Sequence, residues 1–192
     1  MSDDDPSTKQ ADFVGQFKKY ENCKDDYIKN EIVDNMLYLT NSADTWYVNY
    51  VDKKGITLLM AMICSKLSLV NFKLLPYMAK YKEKQVVGEI SFRPSNPCGN
   101  TELMVAIRKK LNNIAMAMLD YPVLCELDKT NMFGDTALIV AIKAKEQDIA
   151  MNILKHTDKF DINYKNTQMD TALTIARSLN LEIAIEIEMR AQ

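Results

Sequence analysis

Four cysteines, one histidine and 26 acidic residues are the groups in this 192-residue chain that could hold a metal, attack a substrate or move a proton. Cys23, Cys64, Cys98 and Cys125 stand far apart and form no C-x-x-C pair, and the single histidine is His156. A closed zinc site draws its ligands from clustered cysteines and histidines, so this spacing predicts folding without metal and without disulfides. Isolated cysteines of this kind are expected as small apolar fillers. His156, within Lys155-His156-Thr157-Asp158, has no cysteine, serine or second histidine at a motif spacing, and is expected at a solvent-exposed helix end. No G-x-x-x-x-G-K, G-x-G-x-x-G, G-x-S-x-G or H-E-x-x-H occurs in the sequence. The expectation is a protein that is not an enzyme and uses no cofactor and no metal.

Charge and patterning narrow the remaining classes. With 24 basic against 26 acidic residues the net charge is −2, a poor footprint for gripping phosphates, so no nucleic acid is expected as partner. The longest apolar run, Ile56 to Cys64 interrupted by Thr57, is too short to cross a bilayer, so no membrane insertion is expected. The opening Met1-Ser2-Asp3-Asp4-Asp5 does not read as a secretory leader, and free thiols fit a reducing, intracellular, cytoplasmic setting. Apolar residues at 47% and charged residues at 26% are enough for a solvated protein with a core. What remains to do chemistry is a surface, and the elements that build it can be read from the glycines.

Three of the five glycines share one context: Gly55-Ile56-Thr57-Leu58-Leu59, Gly99-Asn100-Thr101-Glu102-Leu103 and Gly134-Asp135-Thr136-Ala137-Leu138. Met169-Asp170-Thr171-Ala172-Leu173 keeps the threonine and leucine without the glycine, and the four threonines lie 44, 35 and 35 residues apart. A period of this size signals stacked repeats. Five residues past the threonine stand Met62, Ala106, Ala141 and Ala176. Second apolar stripes follow at helical spacing, namely Leu69, Val70, Leu74, Leu75, then Ile114, Ala115, Met118, Leu119, then Ile149, Ala150, Ile153, Leu154. Each unit therefore reads as a turn, a short helix, a polar break and a longer helix. The glycine permits a positive φ at the turn, the threonine caps the first helix, and the alanine is small where two helices lie close. Met169 in place of the last glycine predicts a relaxed or different turn there.

These residues resemble the ankyrin repeat, D-x-x-G-x-T-P-L-H-x-A followed by an outer helix. The match extends to leaders such as Val48-Asn49-Tyr50-Val51-Asp52 and Ile162-Asn163-Tyr164-Lys165-Asn166. The family's proline is replaced by Leu58, Glu102, Ala137 and Ala172, and its histidine by Met60, Met104, Ile139 and Thr174. Loss of the histidine predicts that adhesion between repeats leans on apolar contact, without that residue's hydrogen bonds. The resemblance implies an all-α fold class, an ankyrin-repeat solenoid of helix-turn-helix units with short β-hairpin-like connections.

The expected organisation is a disordered acidic segment over residues 1–10 and one repeat domain over 11–192, with units at about 11–47, 48–92, 93–127, 128–162 and 163–192. Phe13, Val14 and Phe17 form one helical face, and Ile28, Ile32, Val33, Met36 and Leu37 another, as in a degenerate capping repeat. Trp46 and Tyr47 are expected to pack the first interface. The long first interval places nine extra residues within Pro76–Ser95, either a tolerated surface loop or part of a binding face.

In the ankyrin fold, hairpin tips and first helices line a groove where proteins dock. That implies a non-catalytic interaction module or adaptor, monomeric by itself, or alternatively a viral or bacterial effector that engages or masks a host protein in the host cytoplasm. Aligning each copy on its threonine maps Lys53, Lys54, Ile56, Pro97, Asn100, Arg108, Lys109, Met132, Phe133, Asp135, Lys143, Gln168 and Asp170 to that groove. The cations among them suit an acidic segment of a partner protein. Phe133 either anchors the partner or folds back on its neighbouring repeat.

Overall fold

Each motif threonine between residues 98 and 191 starts a helix. In the computed structural model of the chain, residues 6–22, 24, 31–32, 34–36, 60, 63, 75–76, 79 and 98–191 are described. The residues expected to form one domain over 11–192 divide into two compact units, Met1–Phe92 and Arg93–Gln192.

In the first unit, helix α1 runs over Pro6–Asn22 and buries Phe13, Val14 and Phe17 on one face. It begins inside the segment expected to be disordered. Pro6 takes the first helical position, where its fixed φ suits the helix and its missing N–H has no partner to lose. Residues 31–32, 34–36, 60, 63, 75–76 and 79 are helical, with Ile32, Met36, Met60, Ile63, Leu75 and Ala79 buried. Trp46, Tyr47 and all but Pro76 and Ala79 of the Pro76–Ser95 segment lie outside the described residues.

The second unit holds three helix pairs. These are α2 (Glu102–Arg108) with α3 (Asn112–Leu119), α5 (Ala137–Lys143) with α6 (Gln147–Ile153), and α7 (Ala172–Ser178) with α8 (Ile183–Arg190). The short helix α4 (Pro122–Cys125) follows the first pair. The hydroxyl oxygens of Thr101, Thr136 and Thr171 accept the backbone N–H of Met104, Ile139 and Thr174 at 3.4, 3.4 and 3.2 Å. Thr174 returns a bond to the Thr171 backbone and completes a capping box. First helices pack in one row, α2 on α5 on α7, and second helices in another, α3 on α6 on α8. Ala106, Ala141 and Ala176 are fully buried in the first row, and Ala115 and Ala150 in the second.

The break between the helices of each pair repeats one conformation. Lys110, Lys145 and Asn180 have φ of 57°, 61° and 53°. The next residue donates its N–H to the carbonyl of the buried alanine: Leu111 to Ala106, Glu146 to Ala141 and Leu181 to Ala176, each at 3.0 Å. This is the left-handed helix stop that glycine usually supplies, built here on lysine and asparagine. The second helices are at most one residue longer than the first: α3 and α8 have eight residues against seven in α2 and α7, while α5 and α6 have seven each. Pro122 cannot continue α3, so the chain restarts as α4, and after α6 it tightens into a 3-10 segment over Leu154–Lys159. His156 sits inside that segment with non-helical φ and ψ, half-buried rather than fully exposed.

Leu103 and Leu138 are buried, whereas Leu173, expected to match them, is only half-buried. Helix α5 has first-row neighbours on both sides, and α7 packs chiefly on α5 and α8.

Candidate functional site

The hairpins before α5 and α7 are each held by one asparagine. The Asn131 side-chain oxygen accepts the N–H groups of Phe133 and Asp135 at 2.9 and 3.0 Å. Asn166, 35 residues on, accepts those of Gln168 and Asp170 at the same distances. The amide group of each asparagine then reaches back one repeat. Asn131 Nδ2 donates to Asn100 Oδ1 at 3.2 Å, and Asn166 Nδ2 donates to Asp135 Oδ1 at 2.8 Å. Backbone bonds run alongside, Met132 N–H to the Cys98 carbonyl at 3.0 Å and Thr167 N–H to the Phe133 carbonyl at 3.1 Å.

A polar ladder therefore joins the repeats in addition to apolar packing of Met104 and Ile139, which are buried where the family carries histidine. Its signal in the sequence is asparagine five residues before Thr136 and Thr171. Replacing Asn166, which is buried, by alanine removes three bonds and strips Asp135 of an amide partner. A loss of ~1–3 kcal/mol in chemical denaturation is expected.

This ladder decides which expected site residues face outward. Asn100 and Asp135 are buried and tie hairpins together, so their side chains point away from a partner. Asp135 also holds Lys143, whose ammonium lies 2.8 Å from both carboxylate oxygens. That pairing occupies one of the cations of the expected basic stripe. Arg108 and Lys109 are exposed at the end of α2 and carry no ion pair among the described residues. Gln168 is exposed and Asp170 half-buried, each with its backbone held by Asn166. Lys53, Lys54, Ile56 and Pro97 lie outside the described residues.

Met132 and Phe133 stand on the tip of the hairpin before α5, 60% and 48% exposed. Phe133 is thus not folded away, and its backbone is clamped on both sides, N–H to Asn131 and carbonyl to Thr167. Met169, 68% exposed on the next tip, is an addition that the sequence reading did not place in the groove. Its φ of +64° matches the +65° and +70° of Gly99 and Gly134. The last hairpin therefore keeps the same turn as the others, with methionine in the left-handed conformation.

Between second helices, Glu146 accepts bonds from Lys110 Nζ at 2.9 Å and Asn112 Nδ2 at 2.6 Å. The Lys110 ammonium, with help from Asn112, holds its carboxyl below the usual carboxylate range. Among the described residues no group of three or more His, Cys, Asp or Glu could hold a metal ion, and no helix is long and apolar enough to cross a membrane.

No protein-family model matches the chain, and no curated protein sequence matches it. Solved structures do. The crystal structure of an ankyrin repeat protein superposes with a TM-score of 0.52 at 20% identity, covering 93% of this chain and 98% of that one. A structure of a predatory endopeptidase from Bdellovibrio bacteriovorus in complex with an immunity protein gives a TM-score of 0.42 at 18% identity, covering 91% of this chain and 96% of that one. The first likeness, with the two rows of helices and the stacked hairpins, shows that the chain has the ankyrin-repeat fold.

Proposed function

We propose that the protein is a non-catalytic protein-interaction module whose partner docks along the hairpin tips and the adjacent first helices. The observation that carries this reading is the exposure of Met132 and Phe133 on a tip whose backbone is locked on both sides. An apolar side chain carried on a fixed backbone leaves only its own rotamers to be ordered on binding, and aromatic residues are favoured anchors at interfaces. Met169 widens the apolar surface on the neighbouring tip. Arg108 and Lys109, with no ion pair among the described residues, favour an acidic stretch on the partner, with Lys143 a weaker contributor because Asp135 holds it.

A partner captured from lysate with the parent chain provides the test. Arg108→Glu with Lys109→Glu is expected to slow its association, most strongly at low salt, because exposed charges act mainly on encounter. Phe133→Ala is expected to speed dissociation and leave the salt dependence in place. Parent-like kinetics for both variants, with helical circular dichroism unchanged, would remove this surface as the interface.

A further inference from the structure

The opposite row of helices carries a second apolar surface. On α8, Ile185 and Met189 lie one turn apart and are 66% and 59% exposed, and Met151 on α6 is 39% exposed beside them. Together they line an open groove of about 360 Å³ between α6 and α8. Three large apolar side chains from two helices converging on one groove differ from the scattered exposed residues of an ordinary surface. The buried side of α8, Ile183 and Ile187, already satisfies its packing on the repeat, so the Ile185 and Met189 side is surplus to it.

The rim is acidic. Asp148, Glu182 and Glu186 line the groove, and no lysine or arginine does. Arg190 neutralises Glu186, while Asp148 and Glu182 carry no ion pair among the described residues. Placing this face against the same face of a second copy would bring these carboxylates together, a like-charge juxtaposition that works against self-association. We infer that the groove between α6 and α8 docks a basic amphipathic helical segment of a protein partner, its apolar residues on Met151, Ile185 and Met189 and its cations over Asp148 and Glu182. Methionine is unbranched and adapts to the shape of an incoming side chain, which suits the two methionines to this role. Eight residues make α8 about 12 Å long, room for two turns of a partner helix laid into the groove.

This surface is independent of the hairpin tips, and the test separates them. The probe is a fluorescent amphipathic helical peptide of leucine, alanine and lysine, titrated with the full chain and followed by anisotropy. The control is the same peptide with glutamate for lysine. The lysine peptide is expected to bind, more weakly as salt rises, and the glutamate peptide not to bind. Asp148→Lys with Glu182→Lys is expected to weaken binding about tenfold or more and flatten its salt dependence. Ile185→Ser with Met189→Ser should weaken it similarly with the salt dependence intact. All four side chains are exposed, so helical circular dichroism should be unchanged. Phe133→Ala should bind the peptide like the parent. Equal binding of both peptides, parent-like binding by both double variants, or loss of binding in Phe133→Ala would each overturn the inference. So would a concentration-dependent dimer in sedimentation that Ile185→Ser dissolves, since the groove would then be covered by a second copy.

Discussion

Truncating Leu138 to alanine is expected to cost ~2–5 kcal/mol of folding stability, the range for deleting a buried leucine from a packed core. Leu138 is 2% exposed on α5, the first-row helix that packs against α2 on one side and α7 on the other. A cavity in this helix weakens a repeat that packs on both neighbours, and in a stacked array the interfaces between repeats carry the cooperativity. Neighbouring Ile139, Val140 and Ile142 are also buried, so the site has little freedom to collapse. Lys129 is the control. It is exposed before the hairpin and, among the described residues, pairs only with Asp128 at 3.7 Å, so alanine there should change stability by no more than about 0.5 kcal/mol. Urea denaturation of the two variants measures the difference, and equal effects would mean that the repeat register is misassigned.

Gly134→Ala is the second large effect, at ~2–4 kcal/mol. Of this, ~1–2 kcal/mol comes from holding a residue with a Cβ in the left-handed region, here at φ +70°. The rest comes from space. A Cβ on Gly134 would sit 2.8 Å from the backbone nitrogen of Thr167 and 3.2 Å from the Asn166 Cα, so two hairpins joined by hydrogen bonds must separate. Gly99 shares the conformation with milder crowding, its closest approach being 3.3 Å to the Met132 nitrogen. Gly99→Ala should therefore cost ~1–2 kcal/mol, close to the conformational part alone. The reverse exchange at the same repeat position, Met169→Gly, should raise stability by ~0.5–1 kcal/mol, because relief of left-handed strain exceeds the added chain entropy. Thermal and urea unfolding of the three variants check the order. A Gly99→Ala loss as large as that of Gly134→Ala would show that crowding between hairpins contributes little.

The repeat fold was legible before any coordinate because three kinds of residue recur with one period. Gly99 and Gly134 take the positive φ, Thr101, Thr136 and Thr171 cap first helices, and Ala106, Ala141 and Ala176 are buried where helices approach. Each of these roles is local: a turn, a cap or a small side chain on a helix face needs only its neighbours in the chain. Apolar stripes at helical spacing likewise marked the second helices, and the turn placed Met132 and Phe133 at a hairpin tip without deciding whether Phe133 folded back.

Tertiary structure decided what depends on the neighbouring repeat. Asn100 and Asp135 read as groove residues, yet the amides of Asn131 and Asn166, 31 residues further along, draw them inward. Lys143 read as a free cation, yet Asp135 eight residues before it takes up its charge. Met169 read as a sign of a relaxed or different turn, yet with the N–H groups of Gln168 and Asp170 donating to the Asn166 side-chain oxygen it takes the same left-handed conformation. The acid-rimmed groove of Met151, Ile185 and Met189 joins residues of two helices that no single stretch of sequence brings together. Composition, period and caps set the unit. Hydrogen bonds between repeats and an ion pair within one determined which side chains face solvent, because a buried polar group must find its partner wherever the stack supplies one.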